Sequence, residues 1–130
     1  MVKHINNNNY HLLIMTRKRS EEYFHVLPEK LNCAQAVLKG FQKEFEISDR
    51  EIEEYRAWGG GRVEGGTCGA LFAANRLLRQ AGKESIEKEF RLIAGHTCCR
   101  EIKQGGFPCL DCVRIADELV EKKCNIIVVR

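Results

Sequence analysis

Apolar residues recur along most of the chain at the three- and four-residue spacing of amphipathic helices. The clearest run follows Asn32, which is a good N-cap residue. Ser48 and Glu51 form a capping-box pattern, so another helix is predicted to begin there and to end at Trp58, before three consecutive glycines. The run after Asn32 comprises Ala34, Val37, Leu38, Phe41 and Phe45.

The remaining apolar runs predict further short helices separated by glycine or proline. Thr67 is expected to cap one of them, and Pro108 stands where helices favour proline, at the first position. The pattern is therefore that of an all-α protein, a single small domain of about five or six short helices. These further helices are predicted from Ser20 to Pro28, Thr67 to Gly82, Ser85 to Gly95, Thr97 to about Lys103, and Pro108 to Val120.

The two ends of the chain lack this periodicity. Residues 1–16 include four consecutive asparagines and are predicted to be a disordered, flexible tail in front of a helical domain over residues 17–124. Met15 is an alternative start. Residues 125–130 form a β-prone C-terminal tail for which the sequence shows no convincing partner strand.

Charge argues against a nucleic-acid partner. The formal net charge of the 130 residues is +3. Lys3 and the cluster Arg17-Lys18-Arg19 lie in the first 20 residues, where there is no acid, so the body of the chain is nearly neutral. Nucleic-acid binding needs clustered positive charge on the folded domain.

Cysteine is the unusual feature of the composition, with seven residues. The N-terminal apolar run Leu12–Met15 is too short for a signal peptide or a membrane span, so we expect a cytoplasmic protein without membrane insertion. Persistent disulfides are rare in that reducing compartment. The cysteines are therefore expected to bind metal or to do redox chemistry.

Four predicted helices carry a cysteine in their first turn. They are the helices that begin near Cys33, Cys68, Cys99 and Cys109. Unpaired N–H groups and the helix dipole stabilise an anion there, so these thiols are expected to have lowered pKa values. A thiolate is both a nucleophile and a metal ligand.

The other three cysteines fit this pattern less well. Cys98 is adjacent to Cys99, so the two cannot both face one site with ease, and Cys112 lies one turn after Cys109. Cys124 is expected to be a small buried residue. His96 is a further candidate ligand, although a lone histidine near a helix end is more often a surface or core residue.

The glycine-rich segment Gly59–Gly66 precedes the helix that bears Cys68. Such segments can cradle phosphate, but here no strand precedes it and the Gly-Lys-Ser/Thr ending of a P-loop is missing. We expect instead that the glycines allow the backbone to pack against the Cys68 site with N–H groups turned inward.

Four cysteine-bearing segments follow one another over residues 17–122: Asn32 to Val37, Cys68-Gly69-Ala70, Cys99 to Ile102, and Cys109 ahead of Val113-Arg114. Together they resemble a family of small redox-active proteins defined by a C…CGAxxG…C…C pattern. The resemblance implies a helical cytosolic protein whose redox centre consists of Cys33, Cys68, Cys99 and Cys109. Ala73 stands where that pattern has its second glycine.

Three functions follow from this reading. In the first, Cys33, Cys68, Cys99 and Cys109 bind an iron–sulfur cluster for electron transfer, with Cys98 or Cys112 as substitute ligands. In the second, the protein is a thiol–disulfide oxidoreductase or redox sensor without metal. In the third, the thiolates hold a structural zinc ion in an interaction module. The sequence does not identify the redox partner, and it is compatible with a homo-oligomer.

Overall fold

The computed structural model describes the backbone of residues 2–7, 10–15 and 17–128, and most of these residues are helical. The prediction of a helical fold is confirmed. Short 3₁₀ turns lie at Ser20–Glu22, Tyr55–Trp58 and Glu64–Gly66. The helices within the described residues are α1 Cys33–Gly40, α2 Gln42–Phe45, α3 Asp49–Glu54, α4 Gly69–Gln80, α5 Glu87–Ala94, α6 Cys99–Gln104 and α7 Cys109–Lys123.

Helices α1, α4 and α7 pack against one another and enclose the core, and α5 packs on α7. Their apolar faces are almost completely removed from water, which is the main favourable contribution to folding. Among the described helices, none combines the length and apolarity that crossing a membrane requires. The largest fully buried side chains include Leu38 and Phe41, Leu71, Leu77 and Leu78, Phe90, Val113 and Val120.

Two predicted helices differ from the observed ones. The run after Asn32 does not continue to Phe45 as one helix, because the backbone leaves helical geometry at Phe41 (φ −114°, ψ 10°), and α2 is a separate turn. The helix predicted from Ser20 is a single 3₁₀ turn, and Leu27 near its expected end is 77% exposed. The backbone leaves helical geometry at His25 (φ +57°), and Phe24 pairs with Leu31 instead.

The start of α3 agrees with its predicted cap. Ser48 Oγ accepts a hydrogen bond from the Glu51 N–H at 3.0 Å. The capping-box prediction has the Glu51 carboxylate accept a hydrogen bond from the Ser48 N–H. In the structure it instead pairs with Arg76 of α4, at 2.5 Å and 3.0 Å. A helix cap and a contact between helices therefore share one residue.

A small sheet joins the two ends of the chain. Strands β1 (Val2–Asn7) and β2 (Tyr10–Met15) are antiparallel, and β2 pairs in parallel with β3 (Ile126–Val128). The β-prone C-terminal segment thus has a partner that the sequence analysis did not identify. The predicted mobility of residues 1–16 stays a prediction, and residues 1, 8, 9 and 16 lie outside the described residues.

Arg17 is an anchor of the core, although the sequence analysis grouped it with a basic N-terminal cluster. Its guanidinium donates to both oxygens of Asp117 and, at 2.7 Å, to Glu121. The Ser20 N–H and hydroxyl also donate hydrogen bonds to Asp117 Oδ2, at 2.8 Å and 2.6 Å. The arginine also stacks over the ring of Phe41. The buried Arg17 charge is therefore compensated by the carboxylates of Asp117 and Glu121.

Candidate four-cysteine site

The first cysteine is positioned by a capping box at the start of α1. Asn32 Oδ1 accepts a hydrogen bond from the Gln35 N–H at 2.9 Å, and Gln35 Oε1 accepts one from the Asn32 N–H at 3.1 Å. The fully buried Gln35 amide also donates to the Ile52 carbonyl at 3.0 Å. These bonds hold Cys33 as the first residue of α1 and tie that end of the helix to α3.

The same asparagine fastens the segment that leads to the glycines. Asn32 Nδ2 donates to the Arg56 carbonyl at 3.0 Å, and the side chain packs against Gly59, where no β-carbon would fit. Arg62 Nε donates to the Gly59 carbonyl at 2.9 Å and so closes the turn from the other side. The glycine segment is therefore held over the start of α1 by Asn32 from outside the segment and by Arg62 from within it.

Two glycines of this segment contact site cysteines. The Gly60 N–H acts to lower the pKa of the Cys33 thiol, and a β-carbon on Gly61 would lie 3.2 Å from Cys99 Cβ. Their φ angles are +65° and +80°, which favour glycine. The backbone of the glycine segment thus approaches site cysteines closely, but at Cys33 and Cys99 where the prediction named Cys68.

A short antiparallel bridge brings the starts of α4 and α6 together. Thr67 pairs with Cys98, and the Cys68 N–H donates to the Thr97 carbonyl at 2.8 Å. Thr67 does not cap α4, as the sequence analysis expected, because Cys68 occupies the N-cap position. The bridge draws Cys68 close to Cys99, the first residue of α6.

Cys109 joins the group from the start of α7, directly after the N-cap residue Pro108. Its thiol interacts electrostatically with those of Cys33, Cys99 and Cys68, and Cys33 interacts with Cys68 and Cys99. Four helix starts that are distant in sequence therefore bring their cysteines into one neighbourhood. Their placement at helix starts agrees with the sequence analysis, and their role as ligands stays a prediction.

Burial differs between the four residues. Cys33, Cys68 and Cys99 are 4%, 3% and 7% exposed, whereas Cys109 is only partly buried. All seven cysteines are free thiols. The group thus has one side toward solvent, where Cys109 lies, and a dry interior formed by the other three.

The pKa values of three site thiols move opposite to the sequence expectation. Burial, followed by the charge of Cys68, raises the pKa of Cys33. A hydrogen bond with Cys112, followed by burial, raises the pKa of Cys68. Burial, followed by the charge of Cys33, raises the pKa of Cys109 to about 11. Helix N–H groups do act in the expected direction at Cys33 and Cys68, but desolvation outweighs them.

Lys103 supplies a positive charge to the thiol group. Cys99, followed by Cys109, raises the pKa of the Lys103 ammonium, and Lys103 in turn acts to lower the pKa of Cys109. The sequence pattern alone did not point to this residue. Its position four residues after Cys99 on a short helix is the signal that places both on one face.

Cys112 and Cys124 have different surroundings although both belong to the α7 region. Cys112 is 2% exposed and raises the pKa of Cys68, so it is a fifth cysteine at the edge of the group. Cys124 lies beyond the last turn of α7, where Lys83 is its charged neighbour, and burial raises its pKa. The prediction that Cys124 is a small buried residue agrees with its partly buried position.

His96 and Cys98 form a separate group with Glu101. One potential ligand atom from each of these residues lies within 4.8 Å of the other two. Among residues 17–127, no other set of three or more potential ligand atoms lies within 4.8 Å of one another. The sulfurs of Cys33, Cys68, Cys99 and Cys109 therefore stand farther apart than the ligands of a single ion.

Comparison with known protein families, curated proteins and solved structures finds no match for this chain.

Proposed function

We propose that this protein binds an iron–sulfur cluster through Cys33, Cys68, Cys99 and Cys109 and serves in electron transfer. The observation that carries the proposal is the meeting of four free thiols from four helix starts in one mostly buried neighbourhood. Four cysteine thiolates are the common ligand set of such clusters. They are also the residues that the four-cysteine resemblance implies.

The surroundings of the thiols suit a group that is anionic when its ligands are included. The Gly60 N–H points to Cys33, and Lys103 lies beside Cys99 and Cys109. Hydrogen bonds to the sulfurs and nearby charge are the means by which proteins tune a cluster potential. The raised pKa values of Cys33, Cys68 and Cys109 keep these thiols protonated in the metal-free protein, and metal binding would release the protons.

The spacing of the sulfurs supports a cluster over a single structural zinc ion. Zinc with four thiolates at about 2.3 Å needs its sulfurs roughly 4 Å apart. The four sulfurs do not form a group at the 4.8 Å spacing that gathers His96, Cys98 and Glu101. A cluster places several irons and sulfides between its ligands and so accepts a wider arrangement.

When bound, the cluster would supply one-electron chemistry: it accepts an electron from a reduced partner and passes it to an oxidised one. The chain contributes the ligands, a dry interior, and an approach on the side of Cys99 and Lys103, where a cavity of about 500 Å³ opens. Free thiols throughout the chain agree with a reducing compartment such as the cytoplasm.

The test is anaerobic purification, followed by reconstitution with ferrous iron and sulfide. We expect a coloured protein with matching iron and sulfide and a signal in electron paramagnetic resonance after oxidation or reduction. Cys109→Ser is the best ligand variant, because Cys109 is the least buried of the four, and Cys124→Ser is its control. A colourless, iron-free protein after reconstitution would overturn the proposal, and stoichiometric zinc that Cys109→Ser fails to bind would favour the structural alternative.

A second candidate function, thiol–disulfide chemistry, is favoured by the contact between Cys68 and Cys112. Each thiol would lose one electron and one proton to a disulfide oxidant as the S–S bond forms. Both residues are 3% exposed or less, so a large partner cannot reach them without opening the fold. Peptide mapping after mild oxidation with glutathione disulfide tests this candidate, and absence of a Cys68–Cys112 disulfide in the iron-free protein would contradict it.

A further inference from the structure

Three metal-binding side chains meet outside the four-cysteine group. A ring nitrogen of His96, the sulfur of Cys98 and a carboxylate oxygen of Glu101 all lie within 4.8 Å of one another. A zinc ion with ligands at 2.0–2.3 Å holds them roughly 3–4 Å apart. Small side-chain adjustments would therefore close the group around one ion.

The backbone holds two of these ligands in place. The Cys98 N–H donates to His96 Nδ1 at 3.0 Å, which sets the imidazole beside the start of α6. The Cys98 sulfur lies 3.4 Å from the Gly65 carbonyl, to which the thiol donates. Glu101 follows Cys98 by three residues and so lies on the same side of the first turn of α6. Nitrogen, sulfur and oxygen donors are thus gathered by local structure and by the Thr67–Cys98 bridge.

We propose that His96, Cys98 and Glu101 form a second metal site, which binds one Zn²⁺ ion. Imidazole and thiolate ligands favour zinc over magnesium or calcium, which prefer oxygen. Three protein ligands leave the fourth tetrahedral position to water. Cys98 and Glu101 line the cavity of about 500 Å³, so this position is open to solvent.

The second site is independent of the proposed cluster because it uses none of Cys33, Cys68, Cys99 and Cys109. The resemblance to a four-cysteine family offers no role for Cys98, which the sequence analysis treated as a substitute ligand. Here the adjacent cysteines have different neighbours: Cys99 is buried and packs against Gly61, whereas Cys98 is partly exposed and its sulfur lies near His96 and the Gly65 carbonyl. On binding zinc, the Cys98 thiol releases its proton to water.

The test is a zinc titration of the reduced, full-length protein, followed by nitrogen-15 NMR of the histidine rings. His96→Gln assigns the His96 signals among the four histidines. We expect zinc to shift the His96 ring at stoichiometric amounts. In Cys98→Ser and Glu101→Gln, the zinc concentration needed for this shift should rise by more than the roughly 10- to 100-fold that loss of an outer-shell partner causes.

Two controls separate this site from the cluster. Cys109→Ser should lose iron after reconstitution but keep the zinc response of His96, and Cys98→Ser should keep its iron. Glu118→Gln, an exposed glutamate of α7, should change neither property. A His96 ring that ignores zinc in the native protein would overturn the proposal. So would an unweakened response in Glu101→Gln, which changes an exposed side chain and remains informative if Cys98→Ser misfolds.

Discussion

Gly69 lies directly against the sulfur of Cys33. A β-carbon added at Gly69 would stand 2.7 Å from Cys33 Sγ and 2.7 Å from the Trp58 carbonyl oxygen, and both distances are too short for any side chain. The first residue of α4 is therefore a glycine because α1 and the end of the Tyr55–Trp58 turn come within contact distance of its backbone.

Gly69→Ala should consequently destabilise the protein and disturb the site. Overpacking of this kind costs about 1–3 kcal/mol, which exceeds the gain of up to about 1 kcal/mol from alanine in a helix. Urea unfolding should show the loss, and iron incorporation should fall. Gly105→Ala is the matched control, because a β-carbon there would meet its neighbours at an ordinary 3.5 Å. Equal stability of the two variants would contradict the close contact at Gly69.

Lys103 should control the reactivity of Cys109 in the iron-free protein. Burial raises the pKa of Cys109 to about 11 although the Lys103 ammonium acts to lower it. Lys103→Gln should therefore slow alkylation of Cys109 by iodoacetamide at pH 9, because less thiolate is present. Mass spectrometry of the Cys109 peptide measures the rate. The control is Lys88→Gln on the exposed side of α5, and identical rates in both variants would show that Lys103 does not act on this thiol.

The same thiol should make the iron-free protein less stable in alkali. Its pKa is about 11 in the fold and 9.0 without the fold, so the folded form keeps a proton that the unfolded chain releases. The contribution of the Cys109 proton to the free energy of unfolding is fully present below pH 9 and is lost as the pH rises toward 11. Urea unfolding of wild type and Cys109→Ser across this range isolates it from other groups. A constant difference between them would contradict the raised pKa.

Breaking the buried Arg17–Asp117 pair should cost far more than losing a surface charge. Asp117 is fully buried and accepts hydrogen bonds from Arg17 and Ser20. Asp117→Asn should lower the free energy of unfolding by about 3 kcal/mol or more, as expected when one partner of a buried pair is removed. Glu118→Gln, one residue along α7 and exposed, should cost less than about 1 kcal/mol. Similar losses of stability in Asp117→Asn and Glu118→Gln would contradict a special contribution of the buried Arg17–Asp117 pair.

A chain that begins at Met15 should keep the helical core and the four-cysteine group. Strand β1 and most of β2 would be absent, but β2 meets the rest of the chain at β3, away from the cysteines. We expect the melting temperature to fall by no more than about 4 °C, which corresponds to about 1 kcal/mol for a domain of this size. Circular dichroism and iron content check this. Loss of helix would show that the hairpin is an integral part of the core.

The sequence determined the local features of this protein. The Asn32 and Ser48 caps depend on hydrogen bonds that span three residues, so the residue types alone point to them. Helical periodicity placed the apolar faces, and with them the cysteines at helix starts. Such signals need no knowledge of the rest of the chain. For that reason the helical fold and the four-cysteine pattern could be predicted, while the sheet between distant termini could not.

Only the tertiary structure decided how these local features act on one another. Packing of the helix starts brings Cys33, Cys68, Cys99 and Cys109 together, and the accompanying burial raises thiol pKa values that isolated helix ends would lower. The fold also gives Cys98 and Cys99 different neighbours, since the Cys98 sulfur lies near His96 and the Gly65 carbonyl while Cys99 packs against Gly61. Desolvation and long-range contact depend on which surfaces meet, and no spacing along the chain contains that information.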